Sequence, residues 1–102
     1  MLCRPIIPEG CQHNAHMYYI LLESLEKRIE LIARLQEQGV NTVFHYVPLH
    51  SSPAGMRYGR VVGTMVNTES VSNRLLRLPL WVGLGELDIE QTVGAIERAI
   101  CQ

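Results

Sequence analysis

The feature that most limits how this chain can fold is a pair of apolar stripes that recur at helical period. Their members are Leu25, Ile29, Ile32 and Leu35 in the first stripe, and Ile89, Val93, Ile96 and Ile100 in the second. Residues spaced by three and four positions share one face of an α-helix, so each stripe predicts an amphipathic helix. Each helix must bury its apolar face against a second layer of the same domain.

Capping residues bound these two helices. Ser24 is expected to be the N-cap of the first helix, which ends at Gly39. Lys27 falls on the polar side of that helix, so its side chain is expected in water. Asp88 is expected to be the N-cap of the last helix, with Gln91 at the reciprocal N3 position.

Three short apolar runs of strand length accompany the helices. They are Ala15–Leu22, Val40–Val47 and Leu78–Val82, and they follow an irregular lead-in at residues 1–14 that is rich in proline, glycine and polar residues. A long loop is expected over 48–66. A short helix then begins at Thr68 or Ser70 and ends near Pro79. It carries Val71, Leu75 and Leu76.

The resulting order, β-α-β-loop-α-β-α, predicts an α/β fold. Three strands and three helices are best accommodated as a two-layer α+β sandwich, with the helices on one face of the sheet. A chain of 102 residues and 11.5 kDa has room for one such domain.

Composition excludes several classes of function. Nine basic and ten acidic residues give a net charge of −1, which offers no electrostatic footprint for nucleic acid or an anionic membrane. No apolar run approaches the roughly 20 residues that span a bilayer. Three cysteines without a C-x-x-C pair disfavour a zinc site. Unpaired thiols and no secretory signal favour the cytoplasm.

Candidate chemistry concentrates in the segment HYVPLHSSP at residues 45–53. Two imidazoles, the Tyr46 phenol and two hydroxyls at a strand end could bind a polar ligand or transfer protons. Alternatively, Tyr46 is a half-buried strand aromatic and His50 caps a turn. His45 and His50 make a weak metal pair, since no carboxylate or cysteine lies near them in sequence.

A second group of candidates is basic. Arg57 and Arg60 lie among loop glycines and could hold a phosphate or carboxylate, although a solvated basic loop explains them equally well. No G-x-G-x-x-G or G-x-x-x-x-G-K-[ST] phosphate motif is present. Arg74 and Arg77 are expected on the exposed side of the short helix.

Three segments together carry a resemblance to a known family. They are HMYYI at 16–20, HYVPLHSSPAG at 45–55 and RLLRLPLWVGL at 74–84. In this order they resemble the C-terminal part of the DegT/DnrJ/EryC1/StrS sugar-nucleotide aminotransferases, which are pyridoxal phosphate (PLP) enzymes of fold type I. The resemblance runs from about residue 4 to the end. It implies that residues 15–102 form the small C-terminal domain, and that a large PLP-binding domain would precede residue 1.

The resemblance also implies a reaction and its partners. The intact enzyme would transfer an amino group from glutamate to C4 of a dTDP-4-keto-6-deoxyhexose, and its large domain would supply the Schiff-base lysine. The sole lysine here, Lys27, is expected in water, whereas such a nucleophile must be desolvated beside the cofactor. The sole aspartate, Asp88, is assigned to a helix cap. The chain alone is therefore expected to hold no cofactor, to be catalytically silent and to self-associate.

Site residues follow from the same resemblance. Tyr46 and His50 would line the mouth of the active site, with His16 and Tyr18 near it. Arg57 or Arg60 would contact the phosphates of the dTDP-sugar. The remaining alternatives are a free-standing module that binds a sugar nucleotide or phosphate, and a remnant without function.

Overall fold

The strands of the chain form one antiparallel sheet in a computed structural model that describes residues 2–101. They are β1 (Tyr19–Leu21), β2 (Val43–Phe44) and β3 (Leu75–Arg77), in the order β1-β3-β2. In the register, Leu76 of the central strand pairs with Ile20 on one side and Phe44 on the other. Consecutive strand residues point to opposite faces, so Leu76 faces one layer while Leu75 and Arg77 face the other.

Four α-helices and one 3-10 turn complete the described chain. The helices are α1 (Leu25–Glu37), α2 (Pro53–Tyr58), α3 (Val66–Arg74) and α4 (Glu86–Ile100), and the 3-10 turn is Leu49–Ser51. The expected 48–66 loop is therefore wrong in part, because the 3-10 turn and α2 lie within it. The observed order is β-α-β-α-α-β-α. No helix within residues 2–101 is long and apolar enough to cross a membrane.

The core lies between the sheet and the pair α1 and α4. Its buried members are Ile20, Leu22, Leu31, Leu35, Leu76, Ala95 and Ala99. The two alanines let α4 approach α1 closely, and polar side chains of α1 reach across the contact. Nη1 of Arg34 donates to the carbonyl of Ala99 at 2.6 Å, which supplies a partner to a carbonyl of the last helical turn.

The two predicted helices exist, but their buried faces match the predicted stripes only in part. Leu35 is fully buried, and Ile32 and Ile96 pack against the core. Ile29, Ile89, Val93 and Ile100 are each about half exposed, whereas Leu31, Ala95 and Ala99 are buried. Helical period locates an apolar face without stating which part of it meets the neighbouring helix. In α4 the close contact selects the small residues and leaves the larger ones outside.

The position of the third strand is a correction. The sequence predicts a helix through Leu75 and Leu76 and a strand at Leu78–Val82, but α3 ends at Arg74 and β3 takes up Leu75–Arg77. The central strand must pair on both sides, and a proline at 79 lacks the N–H that such pairing needs.

The caps are confirmed in one case and corrected in two. Oγ of Ser24 accepts from the Lys27 N–H at 3.3 Å, as expected for the N-cap of α1. α4 begins one turn earlier than predicted, with Gly85 as N-cap, and Asp88 occupies N3, where its Oδ2 accepts the Gly85 N–H at 3.0 Å. The cap of α3 is Met65, so neither Thr68 nor Ser70 holds that position.

The lead-in is irregular where it is described, apart from one contact with the sheet. Cys3 forms an isolated antiparallel bridge with Leu21, which extends the sheet beside β1. Met1 of the predicted lead-in and Gln102 of the predicted 15–102 domain lie outside the described residues. Cys3, Cys11 and Cys101 are exposed free thiols.

Candidate functional site

The 48–58 segment is built by its own serines. Oγ of Ser51 donates to the Pro48 carbonyl at 3.2 Å, and Oγ of Ser52 donates to the Leu49 carbonyl at 2.8 Å. Ser52 is also the N-cap of α2, where its Oγ accepts the Gly55 N–H at 3.0 Å. Both hydroxyls therefore stabilise the 3-10 turn and the start of α2, and their hydrogens are used within the segment.

Gly55 allows α2 to lie against the 3-10 turn. A Cβ at this position would lie 1.6 Å from the Leu49 carbonyl oxygen and 2.7 Å from its carbon. Only a residue without a side chain fits such a contact between two backbone segments. The geometry of the turn that carries His50 therefore depends on this glycine.

His50 is held by a carboxylate from another element. Its Nε2 lies 3.1 Å from Oε1 of Glu69 in α3. The His50 side chain is 15% exposed, whereas that of Glu69 is 59% exposed. The pair joins the 3-10 turn to α3 across 19 residues of sequence.

Tyr46 follows β2 and presents its ring to solvent, with 72% of the residue exposed. The guanidinium carbon of Arg77 lies 5.5 Å from the centre of that ring, and the His45 ring meets it edge-on at 5.2 Å. Arg77 is thus a strand residue beneath an aromatic ring, which corrects its expected place on an exposed helix face. Arg77 Nε and His45 Nδ1 are buried and have no hydrogen-bond partner within residues 2–101.

A cleft of about 450 Å³ lies between residues 45–49 and α3. Its lining residues are His45, Tyr46, Val47, Pro48, Leu49, Thr68, Val71, Ser72 and Leu75. One wall comes from residues 45–49 and the other from α3. Leu75 reaches the cleft because strand alternation turns it away from the core that Leu76 enters. The lining is mostly apolar with a few polar groups, as is common for a small-molecule site.

The structure brings together only part of the predicted site. Tyr46 lines this cleft and His50 adjoins it. Tyr18 lines a different cleft, of about 310 Å³, between residues 78–84 and α4. His16 lies between the lead-in and β1, and its Nδ1 bonds to Oδ1 of Asn14.

The two predicted phosphate partners lie at or beyond the end of α2. The guanidinium carbon of Arg57 lies 5.1 Å from the centre of the Tyr58 ring, and Arg60 is exposed in the segment that follows. Both arginines are open to solvent and free of salt bridges within residues 2–101.

Arg74 has a structural role that the sequence did not indicate. Its Nε donates to the Leu22 carbonyl at 2.7 Å, and its own carbonyl accepts the Leu22 N–H at 3.0 Å. This residue therefore ties the end of α3 to the end of β1, which corrects the expectation of an exposed arginine.

Sequence reasoning also missed the roles of Glu69 and Arg77. Glu69 is an ordinary helix residue by pattern, and its distance of 19 positions from His50 has no recognisable spacing. A third strand placed at Leu75–Arg77 would have indicated the role of Arg77, because strand alternation puts its side chain on the same face as that of Leu75.

The environment of Lys27 does not fit the Schiff-base role of a PLP enzyme. Its side chain is 60% exposed, as predicted, and its Nζ lies 3.0 Å from Oε2 of Glu30. The hydrogen bond from Lys27, together with its charge and that of Arg34, lowers the pKa of the Glu30 carboxyl. A paired ammonium in water is a poor nucleophile. Asp88 is likewise engaged at the start of α4.

The described residues do not form a metal-binding cluster. Within residues 2–101, no group of three or more His, Cys, Asp or Glu side chains is placed to hold a metal ion.

Comparison with known proteins gives a consistent result. The DegT/DnrJ/EryC1/StrS aminotransferase family matches residues 4–97. The UDP-4-amino-4-deoxy-L-arabinose–oxoglutarate aminotransferase of Shewanella sediminis is 27% identical over 97 residues, covering 87% of this chain and 25% of the relative. The dTDP-4-dehydro-2,3,6-trideoxy-D-glucose 4-aminotransferase of Saccharopolyspora spinosa is 25% identical over 100 residues, covering 98% of this chain and 25% of the relative.

A solved structure agrees in fold. The crystal structure of S. venezuelae DesV in complex with a ketimine intermediate superposes with a TM-score of 0.83 at 27% identity, covering 96% of this chain and 26% of that one. The chain spans about a quarter of the length of the curated relatives it matches. Because the family match extends over nearly the whole sequence, the chain belongs to the DegT/DnrJ/EryC1/StrS aminotransferase family.

Proposed function

We propose that residues 15–102 are the small C-terminal domain of a PLP-dependent sugar-nucleotide aminotransferase of fold type I. The intact enzyme transfers an amino group from glutamate to C4 of a dTDP-4-keto-6-deoxyhexose in the cytoplasm. Its product is dTDP-4-amino-4,6-dideoxygalactose, used for a common-antigen polysaccharide. Support comes from the family match and from relatives whose names specify aminotransfer on dTDP- and UDP-sugars.

The observation that carries this proposal is the cleft beside Tyr46 and His50. The Tyr46 ring is exposed over Arg77 and offers a flat apolar face together with a phenol that donates and accepts hydrogen bonds. Val47 and Leu49 supply apolar contact for a deoxysugar, and both line the cleft. We assign Tyr46 and His50 to the sugar nucleotide on this basis.

The phosphates of the ligand are assigned to the arginines at the end of α2. Arg57 and Arg60 are exposed, and a guanidinium binds a diphosphate through charge-assisted hydrogen bonds. His16 and Tyr18 complete the assignment as residues near the mouth. Both lie in the segment that leads into β1, so they would contact a ligand that extends beyond the cleft.

The partner is the large PLP-binding domain of the same enzyme. The exposed, paired state of Lys27 supports a Schiff-base lysine that comes from that partner. Large apolar side chains of this chain are exposed, including Trp81, Val82 and Leu87. Such side chains favour packing against another domain, and they favour self-association when that domain is not bound.

The test is a titration of the ¹⁵N-labelled chain with dTDP and with a dTDP-4-keto-6-deoxyhexose, followed by NMR. Amide signals of residues 45–47, 49–50 and Thr68–Ser72 are expected to shift, and dissociation constants into the millimolar range remain measurable. Tyr46→Ala should weaken binding about tenfold, because about 1.4 kcal/mol of stacking and hydrogen bonding is lost. The control is Ile6→Ala, a truncation of an exposed apolar side chain that neither lines the cleft nor contacts a residue assigned to the ligand.

A transamination assay of the chain with PLP, glutamate and the keto sugar accompanies the titration. No turnover is expected from the chain alone. Turnover would contradict the assignment of the cofactor lysine to the partner domain. Saturable binding that Tyr46→Ala leaves unchanged would contradict the assignment of the cleft. Saturable binding by a chain that no large domain activates would instead indicate a free-standing binding module.

A further inference from the structure

We propose that Glu69 is a positioning residue for His50. Its carboxylate orients the imidazole so that Nδ1 is presented to a hydroxyl of the ligand. The choice of a sugar hydroxyl as the ligand group rests on the proposed function, whereas the orientation of the ring rests on the geometry of the chain alone.

The hydrogen bond between His50 and Glu69 links the two walls of the cleft. Pro48 and Leu49 line one wall, and His50 is the next residue along the 3-10 turn. Thr68 lines the other wall, and Glu69 is the next residue along α3. The contact of 3.1 Å between Nε2 and Oε1 therefore joins the two walls directly beside the lining residues.

Both ends of the pair are held by backbone structure. On the turn, the Ser51 N–H donates to the Pro48 carbonyl at 3.1 Å, and Ser52 and Gly55 lock the following residues. On α3, the Glu69 N–H donates to the Met65 carbonyl at 2.9 Å within the first helical turn. A carboxylate in the first turn is also favoured by the helix dipole. The pair is thus formed between two preorganised supports.

The chemistry of the acceptor fixes the imidazole tautomer. An ionised carboxylate only accepts hydrogen bonds, so the Nε2 atom that faces Glu69 must carry a hydrogen. In the neutral ring the other nitrogen, Nδ1, then has a free lone pair and accepts a hydrogen bond. A ligand hydroxyl donates such a bond, which matches a hexose ring. The limited exposure of His50 restricts the rotamers that would undo this arrangement.

The experiment compares wild type with Glu69→Ala, Glu69→Gln and the control Glu90→Ala, an exposed carboxylate of α4. Long-range ¹H–¹⁵N correlations of the imidazole report the tautomer of neutral His50 directly. Wild type and Glu69→Gln should show the Nε2–H form, because the amide oxygen of Gln still accepts. In Glu69→Ala the populations of the two His50 tautomers should move toward those of a free imidazole. In Glu90→Ala they should match wild type.

The same samples are titrated with the dTDP-4-keto-6-deoxyhexose. Glu69→Ala should raise the dissociation constant about tenfold, because the oriented hydrogen bond between His50 and the ligand is lost. Glu69→Gln should raise it less than threefold, because the amide oxygen still accepts from Nε2. An unchanged tautomer in Glu69→Ala overturns the proposal. A changed tautomer with unchanged affinity overturns the role of the ring in binding. A changed tautomer in a chain that binds no sugar nucleotide supports positioning by Glu69 and overturns the assignment of the cleft to the sugar nucleotide.

Discussion

Replacing Gly55 by alanine tests how the 3-10 turn that carries His50 is held. The added Cβ would lie 1.6 Å from the Leu49 carbonyl oxygen, whereas real Cβ contacts below 3.0 Å essentially never occur. The two backbone segments must therefore separate by about 1.4 Å, the difference between those distances. A shift of that size breaks the hydrogen bonds that join Ser52 to Leu49 and Gly55, at 2.8 and 3.0 Å.

The energetic effect is local. Each of the two lost hydrogen bonds contributes about 1 kcal/mol, so the segment should lose about 2 kcal/mol of local stability. That loss makes the equilibrium constant for local opening of the segment about 30-fold larger. α2 buries none of its residues, so the core between the sheet, α1 and α4 should remain intact.

Hydrogen exchange measured by NMR is the assay. The amides of Met56 and Gly59, which donate to Ser52 and Gly55 carbonyls at 2.9 Å, should exchange about 30-fold faster in Gly55→Ala. The exchange rates of the α4 amides should be unchanged in the same variant. The control is Gly94→Ala, where a Cβ meets only the end of the Arg98 side chain, at 3.2 Å.

The control should itself be neutral or stabilising by up to about 1 kcal/mol, because glycine disfavours a helix interior. The reasoning is refuted if Gly55→Ala leaves exchange at Met56 and Gly59 unchanged. It is also refuted if the His50 ring resonances stay at their wild-type positions, since the turn would then not have moved.

Three further predictions concern stability. Leu76→Ala should lower the free energy of unfolding, measured by urea titration, by about 3–4 kcal/mol, because it leaves a cavity at a fully buried position of the central strand. A loss below about 1 kcal/mol would place Leu76 outside the core. Asp88→Ala should cost about 1 kcal/mol in the same assay by leaving the Gly85 N–H without its acceptor, and Glu90→Ala should cost nothing comparable. Lys27 lowers the pKa of Glu30 below 4.5, so the stabilisation from that carboxylate is present above pH 4.5 and is lost as the pH falls below it. The thermal unfolding midpoints of wild type and Glu30→Gln should therefore differ at pH 7, and the difference should shrink as the pH falls below 4.5; a difference that stays constant or grows would contradict this sign.

Local sequence was sufficient for α1 and its N-cap, whereas it misplaced the caps of α3 and α4. Ser24 and the period of the apolar residues predicted α1 within a few residues, because capping and helical period act over one or two turns. The exposure of Lys27 followed from the same helix. The sequence also drew attention to segment 45–53, since imidazole and phenol groups are visible as residue types, and its assignment to a ligand stays a prediction.

Pairing between distant segments decided what the sequence could not. Leu75 and Leu76 fit a helix as well as a strand, and only the pairing of Leu76 with Ile20 and Phe44 makes them the central strand. That placement turned Arg77 toward Tyr46. The choice of Ala95 and Ala99 as the buried face of α4 likewise depends on its distance from α1.

The sequence by itself indicated the family, the helices α1 and α4 and the exposure of Lys27, because each depends on residue identity or on neighbours within a few positions. Tertiary structure alone decided the register of the sheet, the walls of the cleft and the contact between His50 and Glu69. These features join residues that are tens of positions apart. Their geometry is fixed by packing and backbone pairing, which leave no periodic signal in the chain.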